Sequence, residues 1–147
     1  MQVEQKIEIS DAEWEVMRVV WTLGTATSRT LIDVLQEKMS WKAPTVKTLI
    51  GRLVKKGALV TEKKGRAFIY RPTIAEQRAI DDATTTLFNH LCQMRRGEAV
   101  HHLLGELTLS RSDIEKLQAQ LAEKIKTAPE AVACDCLPAD FKLKGGA

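Results

Sequence analysis

Two sets of residues in this sequence have the types and spacing to do chemistry. The first is Cys134-Asp135-Cys136. Thiolates are soft donors that suit Cu(I) and Zn(II) better than hard cations, and a pliable Cys-x-Cys can chelate an ion without a prebuilt cavity. Its plainer reading is a pair of solvent-exposed thiols. One chain then offers two tail thiols, fewer than the four of a closed tetrahedral zinc site, whereas two tails together would supply four. The second set is polar and cationic: Thr45, Lys47, Thr48, Arg52 and Lys55, interleaved with Val46, Leu49, Ile50, Leu53 and Val54 at helical spacing. A helix that buries its apolar side and presents Thr, Lys and Arg on the other can lie in the major groove of B-DNA. Arginine can make a bidentate contact to guanine, and threonine can meet a base edge or a thymine methyl. Lys56 lies beside this polar face. Any solvated helix can carry single Lys and Arg residues, so the weight rests on the cations just beyond it in the chain. Lys63, Lys64 and Arg66 are placed to reach phosphates or the neighbouring minor groove.

Other candidates are weaker. Cys92 sits beside Leu91 in an apolar helical stripe and reads as a small buried residue rather than a ligand. His90, His101 and His102 have no carboxylate or cysteine at coordinating spacing and read as surface or interface residues. Trp14 and Trp21 share an apolar stripe and read as core rather than as a stacking platform, while Trp41, just ahead of the cationic helix, is open. There is no phosphate loop, no nucleophile–base pair at recognisable spacing and no catalytic metal motif, so an enzyme is the least favoured class.

The elements that must position these residues follow from periodicity. Ser10 and Glu13 have capping-box spacing ahead of Val16, Met17, Val20, Trp21 and Leu23, which predicts a first helix ending near Gly24. Ser28 is placed to cap a second helix with Leu31, Leu35 and Met39 on one stripe. Pro44 and Gly57 suit the first turn and the left-handed end of a third. The period then changes to alternation on either side of Lys63-Lys64-Gly65-Arg66, which predicts a hairpin stopped by Pro72. Helix, helix, helix, hairpin is the order of a winged helix-turn-helix, here spanning 1–72. Residues 73–127 read as a helical dimerisation region. Ile80, Thr84, Leu87, Phe88, Leu91 and Met94 form one stripe, Val100, Leu103, Leu104 and Leu107 a second, and a capped last helix from Ser110 carries Ile114, Leu117, Leu121 and Ile125 before Pro129. Short stripes of this kind cannot readily bury themselves against one another, which predicts a homodimer. Residues 128–147 read as a flexible tail bearing the Cys-x-Cys pair. The fold class expected is therefore mainly α with a small β-hairpin.

The bulk properties agree. With 147 residues, 44% apolar and 28% charged, the chain suits one or two small domains. Between Lys42 and Arg71 stand nine basic residues against the single acid Glu62, while the remainder carries more acids than bases. A basic block on an otherwise acidic chain points to a polyanion partner for that block. It also argues against a cytosolic copper carrier, which has no use for a cationic helix and hairpin. The absence of a long apolar run and the polar N-terminus predict a cytoplasmic protein without a membrane partner, where structural disulfides are disfavoured.

Ile9-Ser10-Asp11-Ala12-Glu13-Trp14-Glu15-Val16-Met17, the run from Thr45 to Gly57, Gly65-Arg66 and Tyr70 resemble the penicillinase-repressor family of winged-helix proteins over nearly the whole chain. The resemblance implies a homodimer on a palindromic double-stranded DNA operator that blocks transcription until a signal releases it. One branch represses β-lactam resistance and is released by proteolysis. The chain looks closer to the other, the copper-responsive repressors, in which zinc holds the DNA-bound form, Cu(I) frees the operator, and the tail ends in two Cys-x-Cys pairs. Cys134 and Cys136 match the first pair; where the second should follow, the sequence runs from Leu137 to Lys144 without a cysteine.

Overall fold

A computed structural model describes residues 6–143; residues 1–5 of the expected DNA-binding domain and 144–147 of the expected tail lie outside the described residues. The architecture is mainly helical with one small antiparallel sheet. In order come α1 (Asp11–Leu23), β1 (Ala26–Thr27), α2 (Ser28–Met39), α3 (Ala43–Lys56), β2 (Leu59–Lys64), β3 (Ala67–Pro72), α4 (Glu76–Asn89), α5 (Arg96–Glu106) and α6 (Arg111–Lys124), with short 3-10 turns at Gln93–Arg95 and Ile125–Thr127. By contact the chain divides into two compact units at Thr84–Thr85, inside α4 and beyond Pro72.

In the first unit α1, α2 and α3 pack around Val16, Met17, Val20, Leu31, Leu35, Val46 and Leu53, all fully buried. Met39, expected on the buried stripe of α2, is exposed, because the core ends at Leu35. Ser10 starts α1 by accepting the Glu13 amide at 3.3 Å. Thr27, not Ser28, caps α2: its hydroxyl accepts the Thr30 amide at 3.1 Å, and Ser28 is the first helical residue. α3 begins with Pro44 in its first turn, where a missing N–H removes no hydrogen bond, and ends at Gly57 with φ 84°. That left-handed residue lets the chain reverse and bury Ala58 and Leu59 against the helix it has just left.

β2 and β3 form the expected hairpin, with Lys64 opposite Ala67 and Leu59 opposite Pro72. Gly65, at φ 66°, makes the turn. The sheet has a third strand that alternation does not reveal: Ala26 and Thr27 pair with Tyr70 and Ile69, giving the order β1-β3-β2. The hairpin is thereby tied to the segment between α1 and α2. The indole of Trp21 adds a tie by donating to the Ile74 carbonyl at 2.9 Å.

In the second unit the helices end sooner than their apolar periods: Leu107 lies just past α5, Ile125 falls in the 3-10 turn after α6, and the largest departure is at α4. Leu91 and Met94 continue the apolar stripe of α4, but the helix stops at Asn89. His90 and Leu91 bond back three residues, to Leu87 and Phe88 at 3.1 and 3.0 Å, tightening the last turn and ending the helical ladder. α6 opens on the expected capping box, with Ser110 and Asp113 each accepting the other's backbone amide. Among the described residues from 85 to 143 none is buried.

Candidate functional site

α3 has one side in the core and one in solvent. Val46, Leu49, Ile50 and Leu53 are buried, Val54 is half-buried, and Thr45, Lys47, Thr48, Arg52 and Lys55 are exposed, as their spacing requires. Lys47 edges an open groove with Gly51 of α3 and Thr61 and Tyr70 of the sheet, so the helix and the hairpin border one surface. Lys63, Lys64 and Arg66 stand exposed around the hairpin turn. The acid within this basic stretch is engaged: Glu62 pairs with Arg71 across the strands at 3.0 Å.

The Thr48 hydroxyl donates to the Pro44 carbonyl one turn back at 2.9 Å. With its hydrogen committed there, the side chain presents outward a methyl group and an oxygen that can only accept. Lys56 is not part of the cationic face. Its ammonium donates to both carboxylate oxygens of Glu13, at 2.8 and 2.7 Å, and to the Glu8 carbonyl at 2.8 Å. Glu13 is only 2% exposed. Burial alone would raise its carboxyl, but hydrogen bonds from Lys56 and Ser10 and the ammonium charge together hold it below the ordinary carboxylate value. The pair fixes the end of α3 to the start of α1. Its sequence signal was an acid on the same helical stripe as Val16, Met17 and Val20.

Trp14 and Trp21 pack on each other with centroids 5.6 Å apart, and both are half-buried. Trp41 is half-buried against the core ahead of α3.

In the second unit the tail returns to the break between α4 and α5. Asp135 accepts the Gln93 amide at 2.9 Å, and the Gln93 side chain donates to the Ala133 carbonyl at 2.8 Å. Arg96 approaches Asp135 at 3.8 Å. These ties bring the tail thiols to Cys92, which is half-buried and not the enclosed apolar residue its stripe predicts, because the helix has already ended. Its sulfur stands 3.5 Å from that of Cys134, and the sulfurs of Cys92, Cys134 and Cys136 all lie within 4.8 Å of one another. The signal for this was the odd third cysteine. Three thiols so close divide their protons unequally. Cys92 is drawn below its ordinary value by its contacts with Cys136, the Met94 backbone and Cys134, while Cys136 is pushed up to about 12 by Cys92 and Cys134. Three sulfurs bonded at about 2.3 Å to one ion in a plane would stand about 4 Å apart, so the donors and their spacing fit a soft metal ion. His90, His101 and His102 are exposed and outside this cluster. Among the described residues no helix is long and apolar enough to cross a membrane.

The chain is 56% identical over 135 residues to an uncharacterized 16.5 kDa protein in the ptsI 3′ region of Latilactobacillus sakei, covering 92% of each chain. It is 34% identical over 116 residues to the penicillinase repressor of Bacillus licheniformis, covering 79% of this chain and 91% of that one. The solution structure of monomeric B. licheniformis BlaI in complex with the blaP half-operator matches 50% of this chain and 89% of its own, with 41% identity and a TM-score of 0.46. The penicillinase repressor family profile matches residues 9–123. The chain belongs to the penicillinase repressor family, and is a transcriptional repressor rather than an enzyme.

Proposed function

We propose that the protein is a cytoplasmic dimeric repressor that reads a palindromic operator of a copper-homeostasis operon, and that Cu(I) at its C-terminal cysteines releases it. The observation that carries the DNA reading is the division of α3 into a core side and an exposed Thr/Lys/Arg side that shares a surface with the hairpin. Thr45, Lys47, Thr48 and Arg52 would meet base edges and nearby phosphates from the helix. Lys55 at its end, and Lys63, Lys64 and Arg66 on the wing, would hold phosphates and set register. Two such helices, one per chain, reach successive major grooves about 34 Å apart, which is why a dimer suits a palindrome.

The release signal rests on the thiol chemistry. Cys134 and Cys136 supply soft ligands, and an ion held there shifts the repressor only by binding its DNA-competent and DNA-incompetent forms with different affinity. The test is a titration of reduced protein bound to a labelled copper-operon promoter fragment, followed by fluorescence anisotropy, with Cu(I) and Zn(II) in parallel. Release by Cu(I) and not by Zn(II) is the expected result. Tight operator binding untouched by either ion would overturn the metal response and leave a repressor of the proteolytically released kind.

A further inference from the structure

Chelation by Cys134 and Cys136 alone would leave an ion two-coordinate within one chain, or shared between two tails. The structure offers a third course. Cys92 lies at the junction where α4 has ended and the turn into α5 has begun, and its sulfur is 3.5 Å from that of Cys134. The tail is held there by contacts that need no metal: Asp135 to the Gln93 amide and Gln93 to the Ala133 carbonyl. The residue between the two tail cysteines thus anchors the Cys-x-Cys turn one residue from Cys92. Within the turn the Cys136 amide donates to the Cys134 sulfur at 3.4 Å. Arg96, whose Nε donates to the Leu91 carbonyl at 3.1 Å, brings a positive charge to the edge of the cluster.

We infer that each chain carries its own three-thiolate site, built from Cys92, Cys134 and Cys136, which takes one soft monovalent cation of the Cu(I) class and does not share an ion between two tails. The inference rests on the proposed metal binding by the tail, but not on operator release. Three thiolates satisfy Cu(I), whereas a closed zinc site needs a fourth ligand, so zinc here would keep a position open to water. Cys92 therefore takes the part of the missing second Cys-x-Cys pair, and an ion in the site clips the tail to the α4–α5 junction.

The experiment uses the full-length reduced chain under anaerobic conditions, loaded with Cu(I) in competition with a chromophoric Cu(I) chelator, with sulfur ligands counted by X-ray absorption. The expected result is one Cu(I) per chain with three sulfurs. In Cys92→Ser the affinity should fall on the order of a hundredfold or more, since loss of a supporting residue alone costs about 10–100-fold, and the sulfur count should fall to two. Unchanged affinity and sulfur count in Cys92→Ser would overturn the inference. So would one ion per two chains with four sulfurs in the unaltered protein, a result that does not depend on how the variant folds. Either of those leaves metal binding by the tail standing, whereas an unaltered chain that loses all Cu(I) to the chelator sinks both.

Discussion

Arg52 and Lys64 are both exposed cations in different surroundings, and on the proposed reading of DNA they do different work. Arg52 projects from a helix whose core side is locked by the buried Leu49 and Leu53, so its guanidinium starts from a fixed backbone. Lys64 is at the end of β2, next to the Gly65 turn, where a long flexible ammonium can follow a phosphate but cannot hold one geometry. Arg52→Ala should therefore weaken binding to the operator by about 1–3 kcal/mol while changing binding to unrelated DNA much less. Lys64→Ala should weaken both alike and lower the slope of log affinity against log salt by about one. Anisotropy titrations on operator and scrambled duplexes across a salt series separate the two. Equal losses on every duplex for Arg52→Ala would remove it from base reading. Thr48 would add a narrower constraint on the same reading: while its hydroxyl donates to Pro44, it is set to accept from an adenine or cytosine amino group or to touch a thymine methyl rather than to donate to guanine.

At the scale of elements, the sequence disclosed what local period and local conformation encode. α3 and its buried stripe, the Gly57 reversal and the hairpin all follow from residues within a few positions of one another. β1 escaped because two residues show no alternation, and the α2 cap was displaced by one because Thr27 and Ser28 carry the same kind of hydroxyl. The end of α4 escaped because Leu91 and Met94 keep helical period after the hydrogen-bond ladder has stopped. Contacts across 43 residues, from Lys56 to Glu13, and across 42, from Cys92 to Cys134, lie beyond any local pattern. The first of these joins α1 to the end of α3 and has a measurable weight. Lys56 is 37% exposed, so water screens it, and Glu13→Gln should cost about 1–2 kcal/mol in urea unfolding at neutral pH. The Glu13 carboxyl is held lower in the folded chain than in the unfolded one. Its contribution is thus complete above the ordinary value of 4.5 and is lost as pH falls through the lowered folded value. The gap between wild type and Glu13→Gln should close in acid; equal urea midpoints at neutral pH would show that the pair does not hold α3.

For the whole molecule the decisive contrast is between a first unit with a dense core and a second unit in which no described residue is buried. Leu104, Leu107, Leu109, Ile114, Leu117 and Leu121 line one apolar groove between α5 and α6, and Leu87, Val100 and Leu103 are exposed nearby in sequence. A helical unit cannot stand in water on half-exposed leucines alone, and a second copy offers identical stripes with which to cover them. If the proposed dimer covers these stripes, the second unit would take its stability from assembly, and its unfolding midpoint should rise with protein concentration. Leu104→Glu would place a carboxylate without a partner in the proposed dimer contact and should weaken self-association by about 2 kcal/mol or more, roughly thirtyfold, in sedimentation equilibrium. Because the first unit keeps its core, the same variant should bind a half-site duplex as wild type does and lose affinity only for the full palindrome. A wild-type chain that sediments as a monomer at every concentration, or a Leu104→Glu chain as tight on the palindrome as wild type, would break the link between the exposed leucines and operator symmetry.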